Sequence, residues 1–360
     1  MFDSENLLLK ALRDPQISCS FTIGEWDVCL RQASRSRVLA RFCILLDQDG
    51  LLSALPAKVR QHLESARMVA THYERALRWE VNRLEVALES LDIPMVLLKG
   101  AAYVVAQLPP ARGRLFSDID IMVPRDMIGL VESTLLQRGW EPAELDAYDQ
   151  RYYRTWMHEL PPLRHRERKA VVDVHHNILP ETGRLHPDPR LLLQSAQAVA
   201  GTRFKVLAPT DMVLHSAAHM FQDGELAGSL RDLTDLDDLF RHFGGRAGFW
   251  DQLAPRAGEL DLSRPLFYAL RCARYFFATP SPRQVVAAAA QAAPPKPILH
   301  LMDALVRRAL IPAAPDSTPW KTAAARWLLY VRSHWLRMPP LLLARHLCRK
   351  SLRRFDARAA

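Results

Sequence analysis

Residues Phe116–Val123, FSDIDIMV, alternate polar and apolar side chains almost without interruption. A period of two marks a strand with one buried face. It places Asp118 and Asp120 on one face and turns Ile119, Ile121 and Val123 toward a core. Two carboxylates side by side at the end of an apolar strand repel each other and are costly to desolvate. A divalent cation between them relieves both problems. Asp-x-Asp alone more often marks a solvated strand edge or a turn, so its surroundings decide its meaning.

Those surroundings predict an α+β fold. Met95–Leu98 is a short apolar run ending in Lys99-Gly100, and Ala101–Gln107 has helical character. A Pro- and Gly-rich loop carrying Arg114 leads into the alternating strand. Pro124–Arg138 suits a helix closed by Gly139. Met157–Leu163 and Ala170–His176 are further strand candidates, separated by a polar turn at Arg164–Lys169. This β-α-β then β-β order describes a small mixed sheet with helices on one face. The flanks are predicted to be helical. Pro56 opens a stretch without Pro or Gly, and Leu63, Met68, Tyr73, Leu77, Leu84, Leu88 and Leu91 are assigned to its apolar face. Asp92-Ile93-Pro94 ends it. Beyond Asp188 the chain is expected to be helical again, with amphipathic helices at Pro209–Gln222 and Ser229–Phe243. Thr279–Pro297 is expected to be a linker or loop before a helix at Ile298–Leu310. The organisation is thus a helical region at 1–92, a sheet-bearing core at 93–180, a helical domain at 181–311 and a basic, Trp-containing helical tail at 312–360.

The formal charge of +9 suggests a polyanion partner until it is located. Lys321–Ala360 holds ten basic residues against the single acid Asp356, which accounts for the whole excess. The first 320 residues balance. The tail also carries Trp320, Trp327 and Trp335, so three readings stand for it. These are packing on the body with Arg in solvent, contact with an anionic membrane surface, and binding to RNA phosphates. The five cysteines are scattered with no C-x-x-C pair, which argues against a thiolate zinc site and for a reducing, cytoplasmic setting. No apolar run is long enough to span a membrane, and Met1–Arg13, with Asp3 and Glu5, does not read as a signal peptide.

Asp173 lies in Val171–Val174, an acid inside an otherwise apolar strand of the same predicted sheet. Three carboxylates on adjacent strands can hold two Mg²⁺ for in-line displacement at phosphorus. Gly100 at a helix start lets phosphates approach backbone N–H groups.

Val96-Leu97-Leu98-Lys99-Gly100, Arg114-x-x-x-Asp118-Ile-Asp120 and Val172-Asp173-Val174-His175 resemble the L-K-G, R-x-x-x-D-I-D and V-D-L-H pattern of an uncharacterised nucleotidyltransferase family. That family is often encoded in bacterial biosynthetic gene clusters and belongs to the DNA polymerase β-like superfamily. The resemblance extends over residues 20–245 and takes in His215-x-x-x-His219 and Arg231-Asp232. It implies a metal-dependent enzyme that moves an NMP from an NTP such as ATP to an acceptor hydroxyl or phosphate, releasing pyrophosphate. The acceptor class is left open among small molecules, peptides, proteins and RNA. By the same resemblance Asp118, Asp120 and Asp173 ligate two ions, Mg²⁺ or Mn²⁺, and Asp173 serves as general base. Gly100 lines the triphosphate pocket, and Lys99 and Arg114 neutralise phosphate charge. His175 either orients Asp173, touches the nucleotide or is a hydrogen-bonded residue at the edge of the core. The chain departs from the superfamily in having Gly100-Ala101 where Gly-Ser is usual, and His176 where an aromatic residue is common. The alternative function is a non-catalytic nucleotide-binding or scaffold protein, attached to a membrane surface or complex through the tail. Transfer of the γ-phosphoryl group by the same metals is a further variant.

One face of the Pro209–Gln222 helix carries His215 and His219, read as structural or cleft residues. His158-Glu159 is expected to send one of its two side chains toward the site, and His176 away from it. Trp79, Trp140, Trp156 and Trp250 are read as core or interface aromatics.

Overall fold

The computed structural model describes residues 6–144, 147–222, 226, 229–312 and 319–339. The chain opens with four helices, α1 (Leu7–Arg13), α2 (Ile23–Arg35), α3 (Leu39–Gln48) and α4 (Ala57–Ala87). Thr22 and Glu25 cap α2 reciprocally, each side chain meeting the other's backbone N–H. Pro56 stands just before the 31-residue α4, as its fixed φ favours.

The buried face of α4 differs from the expected one. Leu63, Ala70, Leu77 and Leu84 repeat every seven residues and are buried, whereas Met68 is 73 % exposed and Tyr73 is also exposed. Steps of five residues from Leu63 rotate about 140° around the axis each time, so Met68 and Tyr73 leave the stripe. Trp79 is likewise half exposed, and not a core aromatic. It lies against the guanidinium groups of Arg83 and Arg168, 5.3 and 5.7 Å from its ring centre. Trp140 is fully buried, as expected.

Seven short strands form one mixed sheet. They are β1 (Val96–Leu97), β2 (Ile119–Met122), β3 (Trp140–Pro142), β4 (Leu163–His165), β5 (Val171–His175), β6 (Gln197–Ala198) and β7 (Lys205–Val206), in the spatial order β3-β4-β5-β2-β1-β7-β6. The pairs β2–β5 and β1–β7 are parallel and the others antiparallel. Helices α5 (Lys99–Val105), α6 (Ile128–Gln137) and α7 (Ala147–Trp156) connect the first strands.

Two sheet expectations are corrected. The strand expected at Met157–Leu163 begins only at Leu163 and runs to His165, into the segment assigned to a turn. Pro161 and Pro162 cannot donate to a ladder, so the preceding residues reach β5 only through an isolated bridge between Glu159 and His175. The sheet also continues past residue 180, because β6 and β7 fall where only helix was expected.

The second half comprises α8 (Pro189–Ser195), α9 (Pro209–Gln222), α10 (Leu230–Gly244), α11 (Phe249–Glu259), α12 (Ser263–Phe277), α13 (Arg283–Ala290), α14 (Lys296–Leu310) and α15 (Trp320–Arg337). The segment expected to be a linker contains α13, where a run of alanines after Pro282 favours helix. Helix α9 packs against α10, α11, α12 and α15 and is buried along most of its length. Buried apolar residues run without interruption from Leu8 through the sheet to Leu329, so the helical flanks and the sheet share one core.

The tail helix packs on the body, but not with its large apolar residues inward and its arginines in solvent, as the first of the three readings had it. Thr322, Ala325, Leu329 and Ser333 face the body, and the larger apolar side chains face solvent. The arginines are turned inward. Arg332 and Arg337 donate to the carbonyls of Phe221 and Gln222 at the end of α9, at 3.0 and 2.9 Å, and Arg326 donates to Ala309 near the end of α14. Helix C-termini expose acceptors and partial negative charge, which draw the guanidinium groups. Residues 340–360, with the rest of the tail's charge, lie outside the described residues.

Asp211, an acid in the first turn of α9, is fully buried. Its oxygens accept from Arg256 of α11 at 2.7 and 2.9 Å and from Ser195 Oγ at 2.6 Å. Replacing Arg256 by Leu strands that carboxylate, and a loss of about 3–5 kcal/mol in unfolding free energy is expected from denaturant titration. The added substitution Asp211→Asn should recover part of that loss.

Candidate active site

The site starts from one pair of strands. Parallel pairing of β2 with β5 sets Asp120 directly opposite Asp173. Ile119 and Ile121 turn the other way into the core, as the alternation requires. Asp118 precedes the strand on the same face as Asp120, half-buried, and accepts from Ser117 Oγ at 2.9 Å. All three carboxylates line one cavity of about 290 Å³.

Strand β1 brings Lys99 to the pair. Leu98 N–H donates to the Asp120 carbonyl at 2.9 Å, so the chain leaves β1 beside Asp120. Lys99 then adopts φ +41°, a left-handed conformation that is strained for a residue with a side chain. Its Nζ lies 3.1 Å from Asp120 Oδ1. His175, at the end of β5, places Nε2 3.0 Å from the same oxygen and Nδ1 3.1 Å from Glu159 Oε2.

These neighbours split the acids. Burial alone would raise the Asp120 carboxyl, but Lys99 and His175 outweigh it and hold it well below the usual carboxylate range. Asp173 has no such support. Burial, then the charges of Asp120 and Glu159, push it up to about 7. Its Oδ1 is buried without a hydrogen-bond partner. An orphaned carboxylate oxygen beside a second carboxylate fits a hard divalent cation, which supplies what the protein does not.

Histidines ring the rest of the cavity. His158, His215 and His219 all line it, with Glu159 and Tyr153. The Pro209–Gln222 helix therefore contributes cleft residues. Both members of His158-Glu159 reach the site, where only one was expected. Burial, followed by the nearby His175 and Lys99 charges, holds His158 well below its ordinary value. Burial and then Lys99 do the same to His215, so both rings are neutral at pH 7. His176 does not line the cavity, and its backbone N–H donates to the His158 carbonyl.

Two expected phosphate contacts are not brought there. Arg114 pairs with Asp235 of α10, and its guanidinium lies 5.7 Å from the Tyr103 ring centre. Arg41 reaches the same carboxylate at 2.7 Å and also pairs with Asp238. Arg114 thus ties the loop before β2 to α10. Gly100 is packed against Phe116, and a Cβ there would stand 2.9 Å from the ring. Its missing side chain serves close packing of that loop. Arg184 and Arg337 line the cavity instead, from segments that carry no local motif. Nothing short of the tertiary fold brings α15 to this rim.

A family model described as an uncharacterised nucleotidyltransferase matches residues 24–278. The chain belongs to that family. The match begins at the second residue of α2, takes in all seven strands and runs through α12; it leaves out α1 and ends before α13. Nucleotidyl transfer is the class of reaction that this membership supports. No curated protein matches the chain. Among the described residues no helix is long and apolar enough to cross a membrane.

The raised carboxyl has a measurable signature without metal. A folded-state value of about 7 against an ordinary 3.8 means that folding retains a proton which the unfolded chain gives up. Stability of the metal-free protein should therefore fall as pH rises from about 4 to 7. Asp173→Asn should flatten that slope and raise stability at pH 8 by roughly a few kcal/mol. Thermal melts across pH in a chelator test this, and an unchanged slope would contradict the assignment.

Proposed function

We propose that this protein transfers an NMP group from an NTP to an acceptor hydroxyl or phosphate and releases pyrophosphate. The observation that carries the reading is the side-by-side placement of Asp120 and Asp173, with Asp118 on the same cavity and an Asp173 oxygen left unpartnered. Asp118, Asp120 and Asp173 are the residues to hold Mg²⁺ or Mn²⁺, with room in the donor set for two ions. Bound there, the ions would polarise the α-phosphate and neutralise charge on the leaving pyrophosphate.

The chain's own groups have distinct tasks in this reading. Lys99 and His175 keep Asp120 ionised. Asp173 takes the acceptor proton as the new O–Pα bond forms and the Pα–O bond to pyrophosphate breaks. Lys99, Arg184 and Arg337 supply positive charge at the walls where a triphosphate would lie. Arg114 acts at one remove, by holding the loop that presents Asp118.

NTP labelled at the α-phosphate should pass label to an acceptor with Mg²⁺ or Mn²⁺, and pyrophosphate should appear in equal amount. Asp120→Asn and Asp173→Asn are expected to lower the rate on the order of 10³-fold or more without unfolding the chain. Label transfer from the γ-position alone would assign phosphoryl transfer instead. No transfer across a broad acceptor screen, with no metal bound, would favour a non-catalytic role.

The outward face of α15 supports a second, compatible reading, peripheral contact with a membrane surface. Trp320, Trp327 and Trp335 are 74, 63 and 47 % exposed, and Val331 lies on the same stripe. Indole rings suit the lipid headgroup region, and the sequence that follows is strongly basic. The combined substitution of the three tryptophans by Ala should reduce sedimentation with anionic vesicles about tenfold or more. The inward-facing Arg326, Arg332 and Arg337 would keep their carbonyl partners, while Arg184 would lose its 4.9 Å contact with the Trp335 ring.

A further inference from the structure

Three cavity residues form a donor set that the aspartates do not use. His158 and Glu159 follow α7 and are pinned to β5 by backbone hydrogen bonds. Leu160 N–H donates to Val174 at 2.9 Å, and His176 N–H donates to His158 at 2.8 Å. His175 stands on β5 itself. One ligand atom from each of His158, Glu159 and His175 lies within 4.8 Å of the other two.

The ring nitrogens carry the inference. Nδ1 of His158 and Nδ1 of His175 are both buried without a hydrogen-bond partner. His175 Nε2 meets Asp120 at 3.0 Å, which turns Nδ1 of the same ring toward Glu159 and His158. Nδ1 stands 3.1 Å from a Glu159 oxygen, so the two atoms already converge close to the spacing of neighbouring ligands on one ion. A carboxylate that accepts from one ring nitrogen while the other is left bare is the arrangement that orients metal-binding histidines.

We propose that His158, Glu159 and His175 bind a transition cation of the zinc class, next to the three-aspartate site and distinct from it. Two imidazoles and one carboxylate favour Zn²⁺ or Co²⁺, whereas Mg²⁺ prefers oxygen alone and keeps its waters. Tetrahedral bonds of about 2.0–2.2 Å set ligand atoms roughly 3.3–3.6 Å apart, so the cluster draws in by up to about an ångström on loading. The ion would fix His175 in the tautomer that donates to Asp120. It would therefore position a residue of the aspartate site without sharing its ligands. The inference does not depend on the transfer reaction.

The test is Co²⁺ titration of the chelator-treated full-length protein without nucleotide. One equivalent should bind with a visible ligand-field band, displaced by Zn²⁺ but not by a large excess of Mg²⁺. His158→Ala and Glu159→Gln should each weaken binding about tenfold or more, and Asp118→Asn should leave the band in place. The proposal is overturned by absence of the band, by displacement with Mg²⁺, or by equal loss in Asp118→Asn. Should the His158 variant fail to fold, X-ray absorption of the Zn²⁺-loaded wild type decides. Two nitrogen ligands support the site, and an all-oxygen shell refutes it. Because these readouts involve no NTP, they fail or succeed separately from the proposed catalysis.

Discussion

Parallel pairing of β2 with β5 forces two carboxylates, Asp120 and Asp173, into adjacent positions on a sheet whose other face is sealed by Ile119, Ile121 and Val172. Like charges at that spacing and depth are unfavourable, and the surrounding structure distributes the strain unevenly. One acid receives an ammonium and an imidazole at contact distance, and the other keeps an oxygen without a hydrogen-bond partner. The asymmetry separates a permanently charged group from one that can exchange a proton. Lys99 reaches its partner through a backbone conformation that few lysines adopt, a further sign that local comfort is subordinate to the site.

A second ionic centre supports the first from behind. Asp235 is almost fully buried and receives both Arg114 and Arg41. Its helix, α10, thereby fastens the N-terminal helices and the loop entering β2. An acid-dense helix start such as that of α10 is ordinarily a solvated, capped face. Much of it instead clamps α3 and the loop that delivers Asp118, with Arg231 and Asp232 paired alongside at 2.7 Å.

The sequence was most readable where a signal is local. The alternation at Phe116–Val123 and the apolar run around Asp173 put the three carboxylates on the one sheet face where the structure has them, because period two fixes the face of a strand whatever it pairs with. The helices at Pro209–Gln222 and Ser229–Phe243 are legible for the same reason, with period 3.6. Arg114 was misplaced because the choice between a phosphate and Asp235, far along the chain, leaves no trace in neighbouring residues. The strand at Leu163–His165 was obscured by Pro161-Pro162, whose effect depends on which backbone groups the sheet needs. Glu159, Arg184 and Arg337 become cavity residues only when the strands, α9 and α15 have packed.

Arg332 and Arg337 anchor α15 to the last carbonyls of α9, the same helix that carries His215 and His219 into the cavity. Leu336 and Arg337 complete the rim, and Thr182 and Arg184 are hydrogen-bonded to their backbone. The surface of the protein and the floor of its reaction chamber are thus joined by one rigid strut. Whatever grips the aromatic outside of that strut and displaces it changes the chamber's affinity for its contents. By thermodynamic reciprocity, filling the chamber alters the grip by the same factor.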